Sequence, residues 1–118
     1  MSQHLGEFEQ LLLFALLDLE EQANGAAIRT QIEKRTGRLV SPGAIYTAMD
    51  RLEARGFVAS RIETTPAELG GRRQKYYQLE RAGAQTLERS YRMLSQMARG
   101  LGGRLAELAS VQRGGRRR

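Results

Sequence analysis

Three positive charges lie within four residues of the chain, at Arg72, Arg73 and Lys75, directly after the pair Gly70-Gly71. Like charges this close repel one another when they have no partner, so a cluster that is merely solvated at the end of a loop is the less favoured interpretation. Guanidinium and ammonium groups bind phosphate oxygens through charge-assisted hydrogen bonds. The three residues are therefore predicted to contact the phosphate backbone of a nucleic acid.

A second set of candidates lies in residues 41–58, which the pattern predicts to be one short helix with both ends marked. Ser41 is a good N-terminal cap, Pro42 suits the first helical position, and Gly56 suits a left-handed end. The outer face has small, hydroxyl-bearing and partly basic residues, which suit a helix lying in a DNA major groove. An ordinary surface helix fits this segment equally well. The predicted DNA-facing residues are Ser41, Gly43, Ala44, Tyr46, Thr47 and Arg51.

Within this helix the side chains differ in what they can recognise. Arg51 is the best candidate for a guanine, because its planar fork matches the O6 and N7 acceptors. Tyr46 and Thr47 can reach base edges or phosphates. Asp50 is acidic and would repel phosphate unless Arg51 or another cation neutralises it. Apolar residues at helical spacing form the predicted core stripe, namely Ile45, Met49 and Leu52.

Enzymatic chemistry is not indicated. The chain has no cysteine and a single histidine, His4, and it shows neither a metal-ligand cluster nor a nucleophile–base–orienter set. We therefore expect no enzyme activity, no metal and no cofactor. The longest apolar run, Leu11 to Leu17, is too short for a membrane span, and the start lacks the features of a secretory signal. A cytoplasmic protein without a membrane partner is expected.

The net charge of +6 is unevenly distributed over the 118 residues. No lysine or arginine precedes Arg29, and the five acidic residues before it give that part a charge of −5. From Arg29 onward, 19 basic and 8 acidic residues give +11. Such asymmetry points to a polyanionic partner for the later part, whereas an arginine-rich coding bias alone would spread evenly.

The elements that position these residues follow from apolar periodicity. A first helix over residues 5–21 is apolar nearly all round, which predicts either a second subunit covering it or a place at the centre of its own core. A second helix over residues 26–36, closed by Gly37, precedes the candidate DNA-facing helix, so the pair forms a helix-turn-helix pattern. Residues 57–63 and 72–79 are predicted strands of a hairpin, the wing, with a loop at residues 64–71.

The C-terminal part carries a heptad pattern, which is typical of helices that pair between subunits. Its members are Leu87, Tyr91, Leu94, Ala98, Leu101, Leu105 and Leu108. Glycines at 100, 102 and 103 interrupt it, so we expect a helix to about Arg99 and then a kink or a separate helix from Arg104. The expected organisation is a winged helix-turn-helix domain at 1–80, a dimerisation helix at 81–111 and a disordered basic tail at 112–118.

With the wing placed, the chain resembles the PadR family of transcriptional regulators over about residues 5–94. The resemblance rests on three segments in this order and spacing. The segments are Leu5-Gly6-Glu7-Phe8-Glu9 before a leucine-rich helix, Val40-Ser41-Pro42-Gly43-Ala44-Ile45-Tyr46 with Leu52-Glu53-Ala54-Arg55-Gly56-Phe57-Val58, and Gly70-Gly71-Arg72-Arg73-Gln74-Lys75-Tyr76-Tyr77-Gln78-Leu79 with Gly83.

This resemblance implies a mainly α fold with a two-stranded β-wing, a C-terminal dimerisation helix, and DNA read by the third helix. It also implies that Tyr46 and the basic wing residues lie against DNA. Some members bind aromatic molecules between subunits with a tryptophan, which this chain lacks. Without a tryptophan, the residues that could line such an effector site are Phe14, Tyr91, Met93 and Met97. Ordinary packing is the simpler interpretation of these side chains.

The predicted function is a dimeric, sequence-specific repressor that binds a pseudo-palindromic operator in double-stranded DNA and is released by a small aromatic effector. The competing hypothesis is a winged-helix module that binds an acidic protein partner without DNA specificity.

Overall fold

The computed structural model describes the backbone of residues 4–115 and the side chains of residues 4–110. This part of the chain forms five α-helices and one two-stranded antiparallel sheet, with single 3-10 turns at Glu20–Gln22 and Ala67–Leu69. The elements are α1 (Glu7–Leu19), α2 (Gly25–Thr36), α3 (Pro42–Ala54), β1 (Val58–Thr64), β2 (Arg73–Leu79), α4 (Arg81–Ala98) and α5 (Gly102–Gly115). The mainly α winged helix-turn-helix prediction is therefore confirmed. Within the described residues, no helix is both long enough and apolar enough to cross a bilayer.

The chain divides into two compact units, Met1–Leu87 and Glu88–Arg118, and the division falls inside α4. The core of the first unit comes from every helix in it and from the sheet. Ile45, Met49 and Leu52 are fully buried, which confirms the predicted core stripe of α3. The other large buried side chains are Leu5, Leu12, Leu13, Leu16, Ile28, Ile32, Phe57, Val58, Tyr77 and Leu87.

Local chemistry explains the bounds of α2 and α3. The Asn24 side chain accepts a hydrogen bond from the Ala27 amide at 2.8 Å, so α2 begins at Gly25, one residue before the predicted start. Ser41 Oγ accepts from the Ala44 amide at 3.1 Å, and α3 begins at Pro42 as predicted. Gly56 has a φ of +79°, the left-handed conformation expected after a helix end.

Strand β1 begins at Val58 rather than at Phe57, because the backbone of Phe57 forms hydrogen bonds with the end of α3 and with the residue before α4. Its amide donates to the Leu52 carbonyl at 3.0 Å, and its carbonyl accepts from the Glu80 amide at 2.9 Å. Gly83 of α4 lies directly against this carbonyl, where a Cβ on residue 83 would be 2.3 Å from the Phe57 oxygen. The first turn of α4 therefore packs against the α3–β1 junction too closely to leave room for a side chain at position 83.

In the second unit the glycine-rich segment does break the helix. Gly100 has a φ of +75°, which an α-helix cannot accommodate, and α5 begins at Gly102 rather than at the predicted Arg104. Helix α5 extends over residues 112–115 of the predicted tail, and residues 116–118 lie outside the described part of the chain. Beyond the buried Leu87, the heptad residues that the structure describes are all exposed.

Gly83→Ala is expected to destabilise the first unit. The added Cβ would meet backbone at Phe57, and relieving such overpacking costs about 1–3 kcal/mol, more than the about 1 kcal/mol that alanine gains in a helix. Urea denaturation followed by circular dichroism measures the change. Gly43→Ala is the matched control, because no heavy atom lies within 4 Å of its Cβ position. Equal midpoints for Gly83→Ala and the wild type would contradict this packing.

Candidate nucleic-acid interface

The outer face of α3 is open to solvent over its whole length. Each predicted DNA-facing residue on it is exposed, including the small residues Gly43 and Ala44 in the first turn. Because these side chains are short, a large flat surface can approach the helix backbone there. Arg51, one turn after Thr47, is exposed on the same face, so the predicted residues on α3 are brought together.

Tyr46 is 43% exposed, and its ring is placed by a neighbouring helix. A Cβ on Gly25 would lie 2.5 Å from the Tyr46 hydroxyl oxygen and 2.9 Å from the ring carbon that carries it. Glycine at the first residue of α2 therefore leaves the space in which the end of the Tyr46 ring lies. This contact holds the tyrosine at the junction between the two helices of the helix-turn-helix.

The wing is a regular hairpin in which Val58 pairs with Leu79 and Thr64 with Arg73. At its tip the Thr65 amide donates to the Arg72 carbonyl at 2.9 Å, and the Arg72 amide donates to Thr65 Oγ1 at 2.8 Å. Arg72 and Arg73 are exposed there, whereas Lys75 is half-buried. Lys75 Nζ lies 5.7 Å from the centroid of the Tyr77 ring, which places a cation over an aromatic face.

Asn24 attaches the wing to the helices, a role that was not predicted from the sequence. Its side-chain amide donates to Gln74 Oε1 at 2.7 Å while its oxygen caps α2. Beside it, the Tyr77 amide donates to the Ala23 carbonyl at 2.9 Å, and residue 24 forms an isolated antiparallel bridge with Tyr76. The preference of asparagine for helix N-caps could have predicted that Asn24 caps α2. Nothing in the sequence pattern indicates its hydrogen bond to Gln74.

The strand face that carries Tyr77 is turned toward α3. Ser60, the cross-strand partner of Tyr77, donates from Oγ to Glu53 Oε2 of α3 at 2.9 Å. Burial, and then the neighbouring Tyr46, Asp50 and Glu53, raise the pKa of Tyr77 to about 12. The Tyr77 hydroxyl consequently keeps its proton to a higher pH than that of an ordinary tyrosine.

Within the described part of the chain, five arginines outside the predicted DNA-facing set are paired with carboxylates, whereas the four cations of that set are not. Arg35, Arg38, Arg55, Arg61 and Arg92 each form an ion pair with a carboxylate. No ion pair among the described side chains involves Arg51, Arg72, Arg73 or Lys75. These four cations therefore form no salt bridge within this part of the chain, although Asp50 is exposed next to Arg51 on α3.

The model of the transcriptional regulator PadR-like family matches residues 13–89, which is more than half of the chain. The chain belongs to this family. Because its members are transcriptional regulators, this membership confirms both the sequence-based resemblance and the expectation that the protein is not an enzyme. Among curated proteins, none matches the chain significantly.

Solved structures give the same fold. A PadR family transcriptional regulator from Eggerthella lenta DSM 2243 is 26% identical, with a TM-score of 0.64 and 81% of each chain covered. A PadR-like transcriptional regulator from Bacillus cereus is 25% identical with a TM-score of 0.62, covering 80% of this chain and 89% of that one. Bacillus subtilis PadR, solved in complex with operator DNA, is 21% identical with a TM-score of 0.58, covering 70% of this chain and 46% of that one.

The four residues predicted for an effector site fall on both compact units of this PadR-like regulator. Phe14 of α1 lies in the first unit and lines an open groove of about 460 Å³ between α1 and α2, together with Leu11, Leu17 and Ile32. Tyr91, Met93 and Met97 are exposed residues of α4 in the second unit. Their joint role in binding an effector stays a prediction.

Proposed function

We propose that this PadR-like regulator is a dimeric repressor that binds operator DNA through the outer face of α3 and the wing. The observation that carries the proposal is the placement of four cations without ion pairs among the described residues, Arg51 on α3 and Arg72, Arg73 and Lys75 on the wing. Free guanidinium groups on a small-residue helix and on an adjoining hairpin suit a groove flanked by phosphates.

In this mechanism α3 lies in the major groove and the wing lies on the adjacent backbone. Arg51 binds a guanine through two parallel hydrogen bonds, while Tyr46 and Thr47 contact base edges or phosphates. Arg72, Arg73 and Lys75 bind phosphates and so hold the register of the helix. The operator complex of Bacillus subtilis PadR, which shares the fold, supports DNA as the partner.

A homodimer would present two copies of α3 to successive major grooves, with half-sites about 34–36 Å apart. Large apolar side chains left exposed on α1 and on the C-terminal helices support such a pairing, including Phe14, Leu17, Leu94, Leu101, Leu105 and Leu108. Repression would follow from occupancy of the operator. A small aromatic effector that binds beside Phe14, Tyr91, Met93 and Met97 would release the DNA by changing how the subunits pack.

Replacing both tip arginines, Arg72→Ala with Arg73→Ala, is expected to weaken binding to every duplex. Two lost phosphate contacts should reduce the slope of log affinity against log salt by about two. Fluorescence anisotropy with a random-sequence duplex at several salt concentrations measures both quantities. The matched control removes the same charge elsewhere, at the exposed Arg99 and Arg104 of the second unit.

The control distinguishes wing contacts from overall charge. If both double variants lose the same affinity, binding follows net charge and the wing has no special part in it. If the wild-type protein binds no duplex at low salt, the DNA proposal fails, and a module that binds an acidic protein becomes the better account of the basic surface.

The dimer is tested by mass. Size-exclusion chromatography with light scattering should give twice the chain mass of 13.2 kDa for the wild type at micromolar concentration. Leu105→Glu should give the mass of one chain, because an unpaired carboxylate is costly to bury in an apolar interface. Leu39→Glu, at a position that is 76% exposed before α3, is the control and should leave the dimer intact. A wild-type monomer would contradict the pairing.

A further inference from the structure

Gly25, the first residue of α2, is a glycine that neither backbone conformation nor helix propensity explains. It does not have the positive φ of Gly37 and Gly56, and alanine forms helices more readily than glycine does. The residue is nevertheless buried at the start of the helix. The reason for a glycine must therefore lie in what packs against it.

The space that a side chain on residue 25 would occupy is filled by Tyr46 of α3. The three heavy atoms nearest to a Cβ there are the Tyr46 hydroxyl oxygen at 2.5 Å, the ring carbon that carries it at 2.9 Å and the next ring carbon at 3.2 Å. Gly83 is different, because the atom nearest to its Cβ position is the backbone oxygen of Phe57. Gly25 thus makes room for the end of one side chain, and that side chain belongs to the predicted DNA-facing surface.

This contact determines the direction of the Tyr46 ring. Gly43 lies three positions before Tyr46 on the same face of α3, yet it is exposed and no heavy atom lies within 4 Å of its Cβ position. The ring therefore extends across to α2 and does not cover the first turn of α3. It remains 43% exposed in this place, so part of it is available to a ligand. Because the first turn stays uncovered, the backbone of α3 can come close to the base edges of a groove.

We propose that Gly25 is a positioning residue, which sets where the Tyr46 ring meets DNA and keeps the first turn of α3 open. This inference rests on the proposed DNA-binding function. A methyl group on residue 25 would push the hydroxyl end of the ring out of its place. The obstructing atoms belong to a partly exposed side chain, so the ring can swing into solvent with little effect on the fold. The effect falls on recognition, because the displaced ring no longer fits the groove beside α3.

Gly25→Ala separates this role from a structural one. Its thermal midpoint should be at least that of the wild type, because alanine favours the helix and only a side-chain end has to move. Its affinity for a duplex recovered by wild-type selection from random-sequence DNA should fall about tenfold, as expected for one lost contact. The slope of log affinity against log salt should not change, since no charge is removed. The matched control is Gly102→Ala at the first residue of α5, where no heavy atom lies within 4 Å of the Cβ position, and it should leave the affinity unchanged.

The role of Tyr46 is tested by a double-mutant cycle with Tyr46→Ala at low salt, where phosphate contacts keep binding measurable. Gly25→Ala should cause no further loss of affinity in that background. The same tenfold loss there, an unchanged affinity of the single variant, or a thermal midpoint that falls in both backgrounds would overturn the inference.

The ring contact is also measured without DNA, as a nuclear Overhauser effect between the Gly25 α-protons and the Tyr46 ring of the wild type. Absence of this effect would overturn the inference. A wild-type protein that shows the effect but binds no duplex would instead contradict the proposed function, so the two failures are distinguishable.

Discussion

The geometry of the wing depends on how one short segment, Ala23-Asn24, is hydrogen-bonded. Its backbone accepts from the Tyr77 amide, while the Asn24 side chain both caps α2 and donates to Gln74. A two-stranded hairpin is marginally stable by itself, so these hydrogen bonds between β2 and Ala23-Asn24 restrict the wing to one position relative to the helices. The same segment ends at Gly25, against which the Tyr46 ring lies. Wing, α2 and α3 therefore share one junction, and the basic tip of the wing is carried by a braced hairpin.

The pairing of charged side chains also differs between the surroundings of α1 and the predicted DNA-facing surface. Arginines around the acidic first helix are neutralised, as Arg38 is by Glu7 and Arg55 by Glu9. The cations of α3 and the wing have no such partners among the described residues, although surface ion pairs are easily formed in a chain with this many carboxylates. The predicted DNA-facing surface of α3 and the wing thus carries four cations that form no salt bridge among the described residues.

Local signals predicted α3 well, because Ser41, Pro42 and Gly56 act on their own immediate backbone and need no tertiary information. The two strands and the basic tip followed from alternation and from the glycine pair. What sequence reasoning missed are close approaches between distant segments, such as Gly25 under Tyr46 and Gly83 against Phe57. In the sequence, glycine at these two positions indicates only a helix end or a weak helix former. The packing of the folded chain shows that a Cβ there would be crowded. Nor was the burial of the Tyr77 side chain predicted from the sequence, because its position in β2 alone does not show which face of the strand is covered.

The central claim is that α3 and the wing form one surface for DNA. Titration of the isotope-labelled protein with a random-sequence duplex, followed by amide chemical shifts in NMR spectra, tests it most directly. The account predicts that shifts concentrate at residues 41–51 and 70–75, while amides of the acidic helix α1 stay in place. Shifts at α1 or in the second unit, with residues 41–51 and 70–75 unmoved, would contradict it.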